Sequence, residues 1–150
     1  MKIISHRGNK NGPNPKLENN PDYIVAAINS GFDVEVDVRV TEGELYLGHD
    51  FSQFKITLDF LIENSYHLWI HCKNIESAAV LRMHSELNIF CHKEDDFTMS
   101  SFGYVLTPPN TYPHKRCITM MPELSRWPIE TAKIAGIITD YPIKYSLQCK

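Results

Sequence analysis

At 150 residues the chain has the size of a single domain, with 43% hydrophobic and 22% charged residues and a formal net charge of -3. That composition supports an ordinary buried core. It excludes the strongly basic footprint of a nucleic-acid binder and any polybasic membrane patch. No apolar run approaches membrane-spanning length and no signal-like leader opens the chain. The expected setting is therefore cytoplasmic, without stable membrane insertion. Cys72, Cys91, Cys117 and Cys149 lack C-x-x-C spacing and read as free thiols.

In chain order, Lys2 to Ser5 predicts a strand that delivers His6, and Asn9 to Lys16 a polar surface loop. Asn20-Pro21 opens a helix with Asn20 as N-cap, an apolar stripe of Ile24, Ala27 and Ile28, and Gly31 as its stop. Phe32 to Val40 alternates as a strand: the valines at 34, 36, 38 and 40 face one way, and Glu35, Asp37 and Arg39 the other. A turn at Thr41 to Glu44 leads to a strand from Leu45 to Gly48 that ends at His49. Thr57 to Asn64 predicts a helix, His67 to Cys72 a strand, Glu76 to Leu87 a helix and Asn88 to His92 a strand. Three more strands are expected at Tyr104 to Thr107, Cys117 to Met120 and Gly136 to Thr139.

About eight strands in β/α alternation point to α/β architecture in one domain over residues 1–150, a compact (β/α)8 TIM-type barrel. The chain is short for that fold, so part of the outer helical ring should be missing. Apolar surface exposed in this way would favour an oligomer. His6, His49, His71, Lys73, His92 and Asp140 all fall at or just after strand C-terminal ends, where barrel active sites form.

His6 and His49 are the candidate acid and base, because imidazole titrates near neutrality and a diester needs one proton removed and another supplied. Glu35 and Asp37 are candidate metal ligands, since two carboxylates on one strand face repel unless a cation lies between them. Arg7 supplies a forked cation for phosphate, oriented by Glu18, which reads equally well as helix-terminus charge compensation. Lys73 adds a second positive charge. Asp140 reads as structural, the run Lys93 to Asp96 as a solvated loop, and Trp127 and Met120-Met121 as an apolar wall or ordinary core. His67, His84 and His114 carry no partner pattern.

These residues resemble the glycerophosphodiester phosphodiesterase family, within the wider group of phospholipase-C-like phosphodiesterases. The likeness runs through His6-Arg7-Gly8, Leu17-Glu18-Asn19, Gly31 to Val38, Gly48-His49-Asp50, Ile70 to Lys73 and Gly136 to Pro142, and covers most of the chain. The resemblance implies a (β/α)8 barrel, a divalent cation on Glu35 and Asp37, His6 and His49 as acid and base, and Arg7 and Lys73 on phosphate. It also makes position 71 the third metal ligand. The family usually carries an acidic residue there, and this chain has His71, which suits Mn or Zn better than Mg or Ca. A long head-group insertion after His-Asp is also missing, because Phe51 to Ile56 passes almost directly into the next helix.

The expected function is a metal-dependent phosphodiesterase acting on a small or lipid-derived phosphodiester. Two alternatives stand beside it. One is a non-catalytic phosphoryl-ligand binding module, and the other a cyclising, phospholipase-D-like lyase.

Overall fold

The alternating run from Asp33 to Thr41 forms the longest strand and the axis of the sheet. The computed structural model describes residues 1–148, so Cys149 lies outside the described residues; Cys72, Cys91 and Cys117 are free thiols. The strands are β1 (Lys2–His6), β2 (Asp33–Thr41), β3 (Glu44–Leu47), β4 (Phe54–Ile56), β5 (Leu68–Cys72), β6 (Asn88–Phe90), β7 (Thr98–Met99), β8 (Val105–Thr107), β9 (Cys117–Met120) and β10 (Gly136–Thr139). The helices are α1 (Pro21–Asn29), α2 (Leu58–Glu63), α3 (Ile75–Leu81) and α4 (Pro142–Gln148).

Val34, Val36 and Val38 are fully buried and share one core with Ile24 and Ala27 of α1, Leu61 of α2 and Leu81 of α3. Burial of each such side chain is worth roughly 1.5–3 kcal/mol. The opposite face of β2 carries Glu35 and Asp37. Below them, Ile4, Trp69, Phe90, Leu106, Ile118 and Ile138 come together from six strands as a second core on that face. An apolar floor therefore lies under a polar rim.

The closed parallel (β/α)8 barrel expected from the strand count is not formed. The ten strands make one mixed, open half-barrel sheet with four helices among the described residues. Seven strands run parallel, in the order β6-β5-β2-β1-β10-β9-β8. The expected strand at Leu45 is instead the antiparallel arm of a hairpin. Glu42 and Gly43 both take positive φ (53° and 79°), the twist that a two-residue hairpin loop needs. Strand β4 extends that hairpin within Phe51 to Ile56, the segment read as a short connection to the next helix, and β7 caps the far edge antiparallel to β8. Between β8 and β9 the Pro-rich segment forms no helix, and between β9 and β10 there are only two short 3-10 turns. The seam between β6 and β7 carries no strand ladder. It is bridged by Ser101, whose N–H donates to the Ile89 carbonyl (2.8 Å) and whose Oγ accepts from the Ile89 N–H (2.9 Å).

Local signals were followed closely where capping residues were present. Asn20 Oδ1 accepts from the N–H groups of Asp22 and Tyr23 to start α1, and Thr57 Oγ1 does the same for α2 through Phe60. Helix α3 ends at Leu81, six residues before the expected stop. Leu87 is buried as the apolar spacing required, but from a turn in which its N–H bonds the His84 carbonyl. No helix is long and apolar enough to cross a membrane among the described residues.

Candidate metal centre

Adjacent parallel strands place the acidic pair beside an imidazole. In the β2–β5 register Asp37 lies opposite His71, and Glu35 is two residues earlier on the same face. His71 Nδ1 stands 3.5 Å from Glu35 Oε1 and 3.3 Å from Asp37 Oδ1. One ligand atom from each of the three residues falls within 4.8 Å of the others, in the one such cluster among the described residues. Glu35 Oε2 and Asp37 Oδ1 are buried and accept no hydrogen bond. Asp37 Oδ1 and Glu35 Oε1 flank the His71 Nδ1, and with Glu35 Oε2 also free of hydrogen bonds they make a donor set that could hold a metal ion.

The two carboxylates differ in their support. Asp37 Oδ2 accepts from Asn19 Nδ2 (2.9 Å) and pairs with Arg7 Nε (2.9 Å), and the Asp37 N–H donates to Asn19 Oδ1 (2.9 Å). Lys73 Nζ lies 3.8 Å from Asp37 Oδ1. Burial would raise the Asp37 pKa, but His71, Arg7 and Asn19 together hold it well below the usual carboxylate range. Burial likewise opposes a charge on His71. Asp37 and Glu35 outweigh that and raise its pKa to about 9. His71 Nε2 is 3.0 Å from the His92 carbonyl, which can only accept, so the Nε2–H donates and Nδ1 faces the carboxylates.

The left-handed backbone at Arg7 (φ 54°) and Asn19 (φ 62°) places both residues around Asp37. The Asn19 N–H donates to the Arg7 carbonyl, and the Arg7 N–H to the Glu35 carbonyl. Arg7 is also held by Glu18, through Nη1 to Oε2 at 3.1 Å. These contacts give Glu18 an orienting role on Arg7.

His6 is turned by Asp140, with Nδ1 and Oδ1 at 2.7 Å. Burial pulls the His6 pKa down, and Asp140 and Glu35 carry it above the ordinary value; Asp140 is correspondingly lowered by His6 and Asn9 against its own burial. With Asp140 ionised, His6 Nδ1–H donates and Nε2 is left facing Glu35 Oε2, 3.9 Å away. His6, Arg7, Glu35 and His71 line a pocket of about 110 Å³, with Phe90 and Met120-Met121 supplying its apolar wall.

His49 stands apart. Its Nδ1 bonds Asp50 Oδ1 at 2.7 Å, its side chain is 38% exposed, and no hydrogen bond or ion pair joins it to the carboxylate cluster. It lines a wider cleft of about 550 Å³ with Arg39, Lys73 and His92. The backbone of His49 is fixed by Arg39, whose Nη2 donates to its carbonyl at 2.6 Å. Lys73 lines the wider cleft, from which its Nζ reaches toward Asp37. Trp127 is exposed and lines neither of them, and residues Lys93 to Asp96 form an exposed loop.

Three supporting residues take roles that the sequence did not assign, although Asp140 fell among the strand-end residues and Asn19 within the Leu17-Glu18-Asn19 motif. Asp140 orients His6. Asn9 is fully buried and donates from Nδ2 to both Glu18 (3.0 Å) and Asp140 (2.8 Å). Asn19 braces Asp37. The Asn residues sit in polar loops that read as surface, and only the tertiary fold brings them inward. No protein-family profile, curated protein or solved structure matches the chain.

Proposed function

We propose that the protein is a metal-dependent phosphodiesterase of the kind its sequence resembles, cleaving the P–O bond of an alcohol-phosphate diester. The observation that carries this reading is the buried Glu35–Asp37–His71 set, with two carboxylate oxygens left without partners, directly beside the His6–Asp140 pair. Glu35, Asp37 and His71 would hold a divalent cation, with Mn or Zn favoured over Mg or Ca by the imidazole. Such a cation supplies polarisation of a phosphoryl oxygen and a lowered pKa for the attacking hydroxyl.

The chain's own residues do the rest. Asp140 holds the His6 tautomer with Nδ1–H occupied, so Nε2 takes or returns the proton at the reacting oxygen. Arg7, with Nε and Nη1 held by acids, presents Nη2 to phosphate, and Lys73 adds positive charge from the cleft side. His49 serves the opposite proton transfer from across the wider cleft, where the substrate's alcohol substituent lies.

Chelator-stripped protein supplied in turn with Mg, Ca, Mn and Zn, and assayed on a panel of phosphodiesters, tests the proposal. Metal-dependent cleavage that disappears in His6→Ala is expected. Phosphorus NMR of the quenched products separates hydrolysis from cyclisation.

A second reading, a phosphoryl-ligand binding module, draws on the placement of His49, which is turned to Asp50 and away from the cluster. Phosphodiester binding without turnover under every metal would favour it.

A further inference from the structure

Two thiols that the proposed reaction does not use meet on the wall of the wider cleft. The parallel β5–β6 ladder pairs Trp69 with Asn88, Ile70 with Ile89 and His71 with Phe90, so Cys72 and Cys91 are the two residues that follow its last rung. Facing residues on neighbouring strands have their Cα atoms about 4.8 Å apart, within the span of roughly 4.4–6.8 Å that a disulfide bridges. Cys72 is buried and Cys91 exposed, and both border the same cleft. Arg39, Lys73 and Lys93 line the cleft as well, against the two carboxylates of Asp50 and Asp95, and no carboxylate lies within 4.0 Å of the Arg39 or Lys93 cation among the described residues.

We propose that Cys72 and Cys91 form a dithiol modification site that is oxidised to a cross-strand disulfide by an anionic low-molecular-weight disulfide of the glutathione type. The exposed Cys91 thiolate attacks one sulfur of the oxidant, forming a mixed disulfide and releasing one thiol. Cys72 then attacks the Cys91 sulfur, its proton goes to solvent, and the second small thiol leaves. Two protein thiols are oxidised and one small disulfide is reduced to two thiols. Three cations against two carboxylates on the cleft lining favour the approach of an anionic oxidant.

The bond reaches the metal centre through one residue on each strand. Cys72 follows His71, and Cys91 precedes His92, whose carbonyl accepts from His71 Nε2 at 3.0 Å. Closing the sulfurs to about 2.0 Å draws the Cys91 backbone toward β5 and resets that hydrogen bond. Neither the disulfide nor this shift depends on the proposed reaction.

The test treats the full chain with oxidised glutathione, blocks free thiols and maps peptides without reduction. A Cys72–Cys91 disulfide is expected in the wild type, and a persistent glutathione adduct on Cys91 in Cys72→Ser. The His71 ring signal in a long-range proton–nitrogen NMR spectrum should shift on oxidation and return with dithiothreitol. A wild type that retains glutathione on Cys91, or that pairs either thiol with Cys117 or Cys149, overturns the site. A His71 signal unmoved by the bond overturns its coupling to the metal centre.

Discussion

Glu35 and Asp37 share a strand face two residues apart, yet substitution should affect them very differently. Asp37 is held by Arg7 and Asn19, whereas Glu35 Oε2 accepts no hydrogen bond and meets only His6 Nε2, 3.9 Å away. Asp37→Asn should cost on the order of 3 kcal/mol, because it removes one partner from a buried ionic network. Glu35→Gln removes a charge that faces His71 and His6 without hydrogen-bonding either, and should cost less, on the order of 1 kcal/mol of metal-free stability. Urea unfolding in the presence of a chelator checks both. His71 adds a pH dependence of defined sign. Its folded pKa of about 9 lies above its ordinary 6.5, so its stabilisation is complete below pH 6.5 and is lost as pH rises through 9. The metal-free protein should lose on the order of 3 kcal/mol across that window. His71→Gln should flatten this limb of a pH series. Asp140→Asn leaves the His6 ring without its ionised acceptor; it should lower turnover by at least about 100-fold and shift the acid limb of the pH–rate profile downward. An unchanged profile would remove Asp140 from the site.

At the scale of elements, Asn74 connects the sheet to a helix. Its Oδ1 accepts from Val40 N–H (3.2 Å) and Ser77 N–H (3.1 Å), and its Nδ2 donates to the Val40 carbonyl (2.8 Å). One side chain thus caps α3 and completes the edge of β2 beyond the last rung of β5. Asn74→Ala should destabilise by about 2 kcal/mol, a lost cap plus unpaired backbone groups, as a lowered urea midpoint would report. The elements themselves were legible where the period was strong. The valine alternation located β2 and set Glu35 and Asp37 on its polar face, and Asn20-Pro21 marked the start of α1. The turn at Thr41 to Glu44 and the strand after it were legible, but the antiparallel direction of β3 was not, because Leu45 to Gly48 has the composition of any short strand. Its direction is set by the Glu42-Gly43 turn, which polarity alone does not reveal.

For the whole molecule, closure was the property that strand counting could not supply. A barrel and an open half-barrel use the same alternating segments, and the difference lies in which edges acquire ladders. Here β6 and β7 face each other across Ser101 without one. The candidate site does not need closure. Its acidic pair and His71 come from the adjacent β2 and β5, and His6 from β1 on the other edge of β2. That local origin explains why the expected site residues His6, Arg7, Glu35, Asp37, His71 and Lys73 meet even though the expected barrel is absent. His49 depends on the hairpin, and it is the residue that stands apart.

The account turns on whether the cluster binds a cation. Titration of the chelator-stripped protein with Mn, followed by the electron paramagnetic resonance of the free ion, measures this directly. One bound ion per wild-type chain is predicted, with affinity rising about tenfold per pH unit below the His71 pKa as its proton is displaced, and with binding lost in Glu35→Gln. A wild type that binds no Mn, or a Glu35→Gln variant that binds it equally well, would contradict the account.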